Sequence, residues 1–176
     1  MNYKKRIFLV VAALALAPAV AFAQSQTGFE KGDREFILSG SGSSDESFDN
    51  TSFGSTFSLG YFYTENLEAS IRQDVSFIDL PGDNSWNGST RLVGDYHFNF
   101  GPLVPLVGIS LGYIYGDNVN DQFITGPEVG LKYFLNQTTF LYGQVEYQIL
   151  FDNADEVDDV YDDGRFVYGI GLGLTF

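Results

Sequence analysis

From Arg34 onward the chain alternates between apolar and polar residues, in runs separated by clusters rich in Asp, Asn and Gly. A period of two is typical of β-strands, whose successive side chains point to opposite faces of the sheet. The clearest run is 165–176, where large apolar residues occupy the even positions, and mainly glycine and polar residues occupy the odd ones. No run holds the 3.6-residue period of an amphipathic helix. The pattern therefore predicts an all-β chain.

Eight such runs follow one another, and most of them are ten or more residues long. This length matches the roughly 9–11 residues that a tilted strand needs to cross a bilayer, and it exceeds the strand of about 5–6 residues that is usual in soluble proteins. The predicted strands are 34–43, 52–63, 67–78, 89–100, 103–116, 122–135, 139–151 and 164–176.

The connections between these runs alternate in length. Short turns at one end and long loops at the other are typical of outer-membrane barrels whose termini lie on the short-turn, periplasmic side. We therefore predict an all-β fold, an eight-stranded antiparallel up-and-down transmembrane β-barrel, with the long loops facing the cell exterior. The short connections are 64–66, 101–102 and 136–138, the long polar ones are 44–51, 79–88 and 152–163, and 117–121 is intermediate.

The two faces of the strands differ in chemistry. One face carries charged side chains and most of the glycines, as expected for a crowded barrel interior, and the other carries large apolar and aromatic residues that would face lipid. A water-soluble, lipocalin-like carrier would place the apolar face inside, where an eight-stranded lumen is too narrow for so many tyrosines. Each interior cation is expected to pair with a carboxylate, because an unpaired buried charge is costly. The interior charges are Glu68, Arg72, Asp74, Arg91, Asp95, Glu128, Lys132, Glu146 and Arg165.

A short motif occurs twice, because 58–63 resembles 110–115. In the predicted topology the first copy ends at the periplasmic interface and the second at the outer one. Each copy would place two tyrosines in an aromatic girdle, where an amphipathic ring is stable between headgroups and hydrocarbon.

One proline conflicts with the predicted pairing. Pro127 lies inside the sixth run, where it has no N–H for the ladder, and a closed barrel has no edge strand to place it on. We expect either a bulge at Pro127 or a regular strand that begins only at Glu128.

The first residues have the pattern of an export signal. Lys4, Lys5 and Arg6 precede the apolar stretch 7–20, and Ala21-Phe22-Ala23 has the form of a cleavage site. We therefore divide the chain into a signal peptide, 1–23, and an outer-membrane β-barrel domain, 24–176. The alternative is an N-terminal membrane anchor, which the short apolar stretch disfavours.

Charge and composition exclude several classes of function. The 23 acidic and nine basic residues give a net charge of −14, which becomes −17 when the three basic residues of the signal are removed. Nucleic acid is therefore not an expected partner. The chain has no cysteine, which excludes disulfides, thiol nucleophiles and cysteine-type zinc sites.

The chain resembles the small eight-stranded outer-membrane β-barrel family of Gram-negative bacteria, which includes OmpX-like proteins and OmpA-type barrel domains. The resemblance covers almost all of the predicted mature chain and implies the fold and an outer-membrane location. The terminal strand ending in Phe176 is similar to the signal read by the barrel-insertion machinery, which is therefore an expected partner. The residues that carry the resemblance are 36–42, 59–61, 107–113, 128–134 and 169–176.

Two groups of residues suggest chemistry. His97 is the single histidine and lies near Asp95, so a Ser-His-Asp arrangement is arithmetically possible, but its predicted position in the periplasmic half favours an interior histidine hydrogen-bonded to its neighbours. The acidic run 152–163 is read as a solvated outer loop, with calcium binding as the alternative, because it lacks the glycine and terminal glutamate of an EF-hand.

These observations predict a monomeric outer-membrane protein with a structural or surface-interaction role. We predict no enzymatic activity, no catalytic, cofactor-binding or metal-binding residues, and no cofactor. The expected partners are outer-membrane lipid and lipopolysaccharide. The alternatives are a narrow small-solute channel and an outer-membrane enzyme that modifies lipid A.

Overall fold

Strands account for most of the part of the chain that the computed structural model describes, which is residues 28–44, 51–80, 83–116, 122–151 and 164–176. No helix within these ranges is long and apolar enough to span a membrane. The strands are β1 Arg34–Ser44, β2 Thr51–Phe62, β3 Leu67–Leu80, β4 Asp83–His97, β5 Leu103–Gly116, β6 Gln122–Phe134, β7 Thr139–Phe151 and β8 Gly164–Thr175.

The eight strands form one closed barrel in which each strand pairs antiparallel with its sequence neighbours. β1 and β8 close it, from the Glu35–Thr175 pair to the Ser44–Phe166 pair. Arg34 and Phe176 extend this seam by exchanging two backbone hydrogen bonds of 3.0 and 2.9 Å. The predicted fold class is therefore confirmed.

The polarity of this barrel is the reverse of a soluble protein's. Large aliphatic side chains on its outside are strongly exposed, whereas charged side chains point into the lumen and are buried. The single-residue alternation in sequence produces this arrangement, because successive side chains of a strand lie on opposite sides of the barrel wall. The most exposed aliphatic residues are Leu59, Ile71, Leu92, Ile109, Val129 and Ile170, with exposed fractions from 56 to 77%.

The two ends of the barrel differ. At the end that we call the turn end, short connections at 63–66, 98–102 and 135–138 join the strands. At the opposite end, the loop end, the strands lead into residues 45–50, 81–82, 117–121 and 152–163, which lie outside the described part of the chain together with residues 1–27. The predicted signal peptide and the acidic run 152–163 therefore lie outside the described residues.

The expected long loop at 79–88 is wrong, because β3 continues to Leu80 and β4 begins at Asp83. The two strands stay paired to their ends, with Asp79 opposite Asn84. Polar sequence predicts a loop, but a hairpin that projects beyond an apolar band is also polar, so composition does not distinguish the two.

Both expectations for Pro127 are wrong. The register between β6 and β7 is the same on both sides of Pro127, from Phe123–Phe151 to Phe134–Phe140, so no bulge is present. The strand is also continuous, and Pro127 pairs with Ile109 of β5. Only the ladder to β7 is interrupted, at residues 126 and 127. The missing N–H therefore faces β7, and the strand passes the proline without changing its register.

Candidate functional site: the barrel interior

Arg91, which lies opposite Arg72 on the neighbouring strand, joins two acidic side chains across the lumen. Its guanidinium lies 2.5 Å from Asp74 Oδ2 and also contacts Glu146. Asp74 is further held by the hydroxyls of Ser89 and Thr56, at 2.6 and 2.5 Å. A carboxylate with three donors around it is well stabilised in a site that water does not reach freely.

A second bridge crosses the middle of the barrel. Arg72 Nη1 and Nη2 donate to Glu128 Oε2 and Oε1 at 2.8 and 3.0 Å, a bidentate pair with matched planar geometry. Arg72 Nη2 also donates to the Tyr142 hydroxyl at 3.3 Å, and this hydroxyl donates to Gln144. Both Arg72 and Glu128 are 2% exposed. The bridge therefore links β3 to β6 and β7 through the centre of the lumen.

A third ionic contact centres on Lys132. Its Nζ lies 2.6 Å from Glu35 Oε2 and 3.1 Å from Glu68 Oε2. The same ammonium lies over the rings of Phe29, 4.9 Å away, and Phe140, 5.4 Å away. Aromatic faces stabilise a cation that has lost its water. Lys132 therefore contacts both the ionic part of the interior and an aromatic part that lies toward the turn end.

Four phenylalanines fill the turn end of the lumen, and we call Phe29, Phe62, Phe134 and Phe140 the aromatic plug. Phe29 stacks on Phe62 with ring centroids 4.0 Å apart. It meets Phe134 and Phe140 edge-on at 5.3 and 6.1 Å. All four rings are at most 4% exposed, so the plug excludes solvent from this end.

Phe29 enters the barrel from outside the strand ladder. The chain turns at 30–33, where Asp33 Oδ2 accepts a hydrogen bond of 2.8 Å from the Glu30 N–H. Gly32 has a φ of +100°, a conformation that favours glycine, and its N–H donates to the Phe62 carbonyl at 2.9 Å. These contacts attach the segment before β1 to the rim and direct Phe29 into the mouth.

His97 lies inside the barrel, as predicted, but the expected hydrogen bonds to its ring are not found among the described residues. Nε2 is 3.4 Å from Glu68 Oε2 without hydrogen-bond geometry, and neither ring nitrogen has a hydrogen-bond partner there. Its ring packs instead against Phe29 and Phe62 at 5.2 and 5.1 Å. No hydroxyl in the described ranges is hydrogen-bonded to either ring nitrogen, so the Ser-His-Asp arrangement is not formed.

The predicted interior charges do point into the lumen. The expectation that each cation pairs with a carboxylate is confirmed for Arg72, Arg91 and Lys132. For Arg165 no carboxylate of the described residues is within ion-pair distance, and its Nε donates to the side-chain carbonyl of Gln148 at 2.9 Å. Asp95 lies directly opposite Glu68 on the same wall, and no lysine or arginine of the described residues is within ion-pair distance of its carboxylate.

Sequence reasoning missed Glu35, Phe29 and the inward direction of the other plug rings. Glu35 precedes the apolar residues of β1 and reads as a surface charge, although it shares its parity with the inward Ile37. Phe62 shares the parity of the polar residues of its strand, and Phe134 and Phe140 that of the charged ones, so the rule that aromatic rings face outward fails at the turn end. The turn sequence 30–33 was the available signal that Phe29 folds back.

Two glycines make room for interior carboxylates. A Cβ placed on Gly60 would overlap the Glu68 carboxylate, and one on Gly108 would overlap that of Asp95. Because Gly60 and Gly108 carry no side chain, the acidic groups lie flat against the wall.

In the part of the chain that the structure covers, no group of three or more His, Asp or Glu side chains is arranged to hold a metal ion.

No family model and no curated protein matches this chain. Solved structures do match it, among them three that are similar over most of its length. The outer membrane protein OprG from Pseudomonas aeruginosa aligns with a TM-score of 0.61 and 15% identity, over 85% of this chain and 98% of that one. Neisserial surface protein A aligns with a TM-score of 0.56 and 15% identity, over 81% of this chain and 94% of that one.

The third structure is the N-terminal β-barrel domain of OprF from Pseudomonas aeruginosa. It aligns with a TM-score of 0.54 and 21% identity, over 84% of this chain and 100% of that one. At these identities the similarity concerns the fold. The resemblance to small eight-stranded outer-membrane barrels is confirmed at that level.

Proposed function

We propose that this chain is an integral protein of the bacterial outer membrane, with a structural or surface-interaction role. The observation that carries this proposal is the reversed polarity of the barrel. An outer wall of exposed aliphatic side chains would be costly in water and is stable in hydrocarbon. The ion pairs are buried inside the barrel, where they do not contact lipid. The strand lengths of 11–15 residues suit a tilted crossing with projecting ends.

The lumen is filled, which supports a role other than transport. Arg91 and Lys132 are 1% exposed, and Glu146 is fully buried. A water-filled channel would leave such side chains hydrated. Among the described residues, the cross-lumen pairs fill the middle of the barrel and the aromatic plug fills its turn end, which disfavours the channel alternative.

Catalysis has little support as well. His97 is fully buried, and Phe29 and Phe62 cover it from the turn end. A substrate would have to displace the aromatic plug to reach either ring nitrogen. An enzyme that modifies lipid A is therefore only an alternative to be tested.

The expected partners remain part of the proposal. The net charge of −17 after export suits divalent cations bridging the surface to lipopolysaccharide. Neisserial surface protein A, which has a similar fold, is named as a surface protein, and a surface role is what we propose for this chain. The barrel-insertion machinery, acting through the strand that ends in Phe176, is the proposed assembly partner.

Membrane fractionation of expressing cells tests the location. The protein should appear in the outer-membrane fraction, and its gel mobility should change on heating, because a closed barrel resists unfolding in detergent. Recovery in the soluble periplasmic fraction would refute the proposal and favour the carrier alternative.

Planar bilayers test the filled lumen. The purified protein should give no stable single-channel steps. Reproducible steps would replace this proposal with the small-solute channel, and a change in the mass of lipid A from cells expressing the protein would replace it with the enzyme.

A further inference from the structure

Three polar side chains lie together on the largely apolar outside wall, where β3, β4 and β5 approach the loop end. Thr90 Oγ1 donates to Gln73 Oε1 at 2.7 Å, and Gln73 Nε2 donates to the Tyr115 hydroxyl at 2.8 Å. The Thr90 and Tyr115 hydroxyls are 3.3 Å apart. We call Gln73, Thr90 and Tyr115 the polar trio.

The polar trio uses its donors internally and keeps acceptors available. The second N–H of Gln73 donates to the Asp74 backbone carbonyl at 3.0 Å, so both amide hydrogens are engaged. The hydroxyl hydrogen of Thr90 goes to Gln73, and that of Tyr115 can go to Thr90. Each of the three oxygens retains a lone pair. These acceptors suit a molecule that donates hydrogen bonds.

An apolar groove continues from the polar trio toward the turn end. It has a volume of about 450 Å³ and is lined by Leu92, Gly94, Ile109, Leu111 and Thr125. Gly94 forms the open part of this groove, because a Cβ placed there would meet no atom within 4 Å. The groove faces outward, so in a bilayer it would face the hydrocarbon.

The trio and the groove form one continuous surface. Thr90, Leu92 and Gly94 are successive outward positions of β4, and Leu92 pairs with Leu111 while Gly94 pairs with Ile109. At about 3.3 Å per residue, Thr90 lies roughly 13 Å from Gly94 along the strand. Trp86 packs against Tyr115 with ring centroids 6.2 Å apart, an aromatic pair of the kind found at the headgroup level of a membrane.

We propose that this surface binds one glycolipid molecule of the outer leaflet. Its sugar headgroup, rich in hydroxyl and amide donors, would lie on the polar trio, and one acyl chain would lie in the groove below. Both parts of the surface are needed for an amphipathic ligand, and the unused acceptors select a headgroup that donates. The inference rests on the proposed membrane location, with the loop end outward.

Native mass spectrometry of the full mature chain in nanodiscs tests the site. The nanodiscs contain equal amounts of lipid A, whose head donates hydrogen bonds, and phosphatidylcholine, whose head has no donor. The protein should retain a single lipid A molecule in preference to phosphatidylcholine. Thr90→Val should reduce this preference by about two- to tenfold, the change that corresponds to losing one neutral hydrogen bond.

Gly94→Leu fills the groove and should also reduce the preference. Gly143→Leu is the matched control, because Gly143 is an outward glycine of β7 whose added Cβ would meet only the Gly169 carbonyl, 3.9 Å away. The control should retain lipid A as the wild type does. Equal retention by all three variants, loss in the control as well, or a second copy of the chain in place of lipid would overturn the inference.

Heat-dependent gel mobility of each sample separates the two proposals. A barrel that inserts but shows no lipid A preference would overturn the glycolipid site and leave the membrane location standing. A chain that does not insert would overturn both. Thr90→Val keeps the test decisive if Gly94→Leu fails to fold, because valine preserves the shape of the side chain.

Discussion

Arg72 and Arg91 stand directly opposite each other on β3 and β4, and each extends across the lumen to a different glutamate. The glutamates that receive them, Glu128 and Glu146, are themselves directly opposite on β6 and β7. Like charges in such positions destabilise a sheet when they are left alone. Here two arginines on one wall meet two glutamates on the facing wall, so the contact that relieves the repulsion also holds the barrel closed across its middle.

The Arg72–Glu128 bridge predicts a large effect of removing one partner. Arg72→Leu should lower the free energy of unfolding by about 3–5 kcal/mol, because it leaves Glu128 buried without its cation. Urea unfolding in detergent micelles, followed by the fluorescence of Trp86, measures the change. Arg72→Leu combined with Glu128→Leu should recover most of the loss, since no uncompensated charge remains. Equal losses in both variants would show that the bridge is not a coupled pair.

The aromatic plug predicts that Phe29→Ala destabilises the barrel although Phe29 precedes the first strand. The loss should be about 3–5 kcal/mol, as for other buried phenylalanines, because Phe62 and Lys132 lose a packed ring. The same unfolding experiment measures it. Phe100→Ala is the matched control, since Phe100 lies outside at the turn end and is 67% exposed. It should change the stability far less, and a similar effect of both variants would contradict the plug.

The ionic bridges predict that Phe29→Ala does not open a pore. The Arg72–Glu128 and Arg91–Glu146 contacts still cross the lumen when the plug is weakened. Planar bilayer recordings of this variant should therefore show no single-channel steps, as for the wild type. Steps that appear only in Phe29→Ala would mean that the plug alone closes the barrel.

The topology predicts opposite labelling of two cysteines in this naturally cysteine-free chain. A cysteine at Asp158, in the predicted exterior loop, should react with an impermeant maleimide on intact cells. A cysteine at Gln137, in the connection 135–138, should react only after permeabilisation. The reverse pattern would mean that the barrel has the opposite orientation in the membrane.

Pro127 predicts a stabilising substitution. Pro127→Val supplies an N–H toward β7 and should raise the free energy of unfolding by about 0.5–1.5 kcal/mol, the net value of one hydrogen bond. Ile109→Val is the control, because Ile109 is the β5 partner of Pro127 and this change alters no backbone N–H. An equal effect of both substitutions would mean that the interrupted ladder is not the cause.

The alternation of small or charged residues with large apolar ones determined the strand number, the strand order and the face on which each residue lies. This is possible because side-chain direction in a strand depends only on sequence parity. The inward direction of Arg72, Lys132 and Glu146 followed from their positions alone. The reading failed where the local pattern has two structural meanings, as for the polar hairpin ends Asp79 and Asn84.

The tertiary structure alone decided which interior groups meet, because partners across the lumen are set by the strand register and the closure of the barrel. Lys132 and Glu35 are 97 residues apart in sequence, yet barrel closure brings them to 2.6 Å. The same holds for Phe29, whose place inside the mouth depends on a turn and on the rings of three distant strands. Sequence parity determines the face of the wall, but only the closed register determines the neighbour across it.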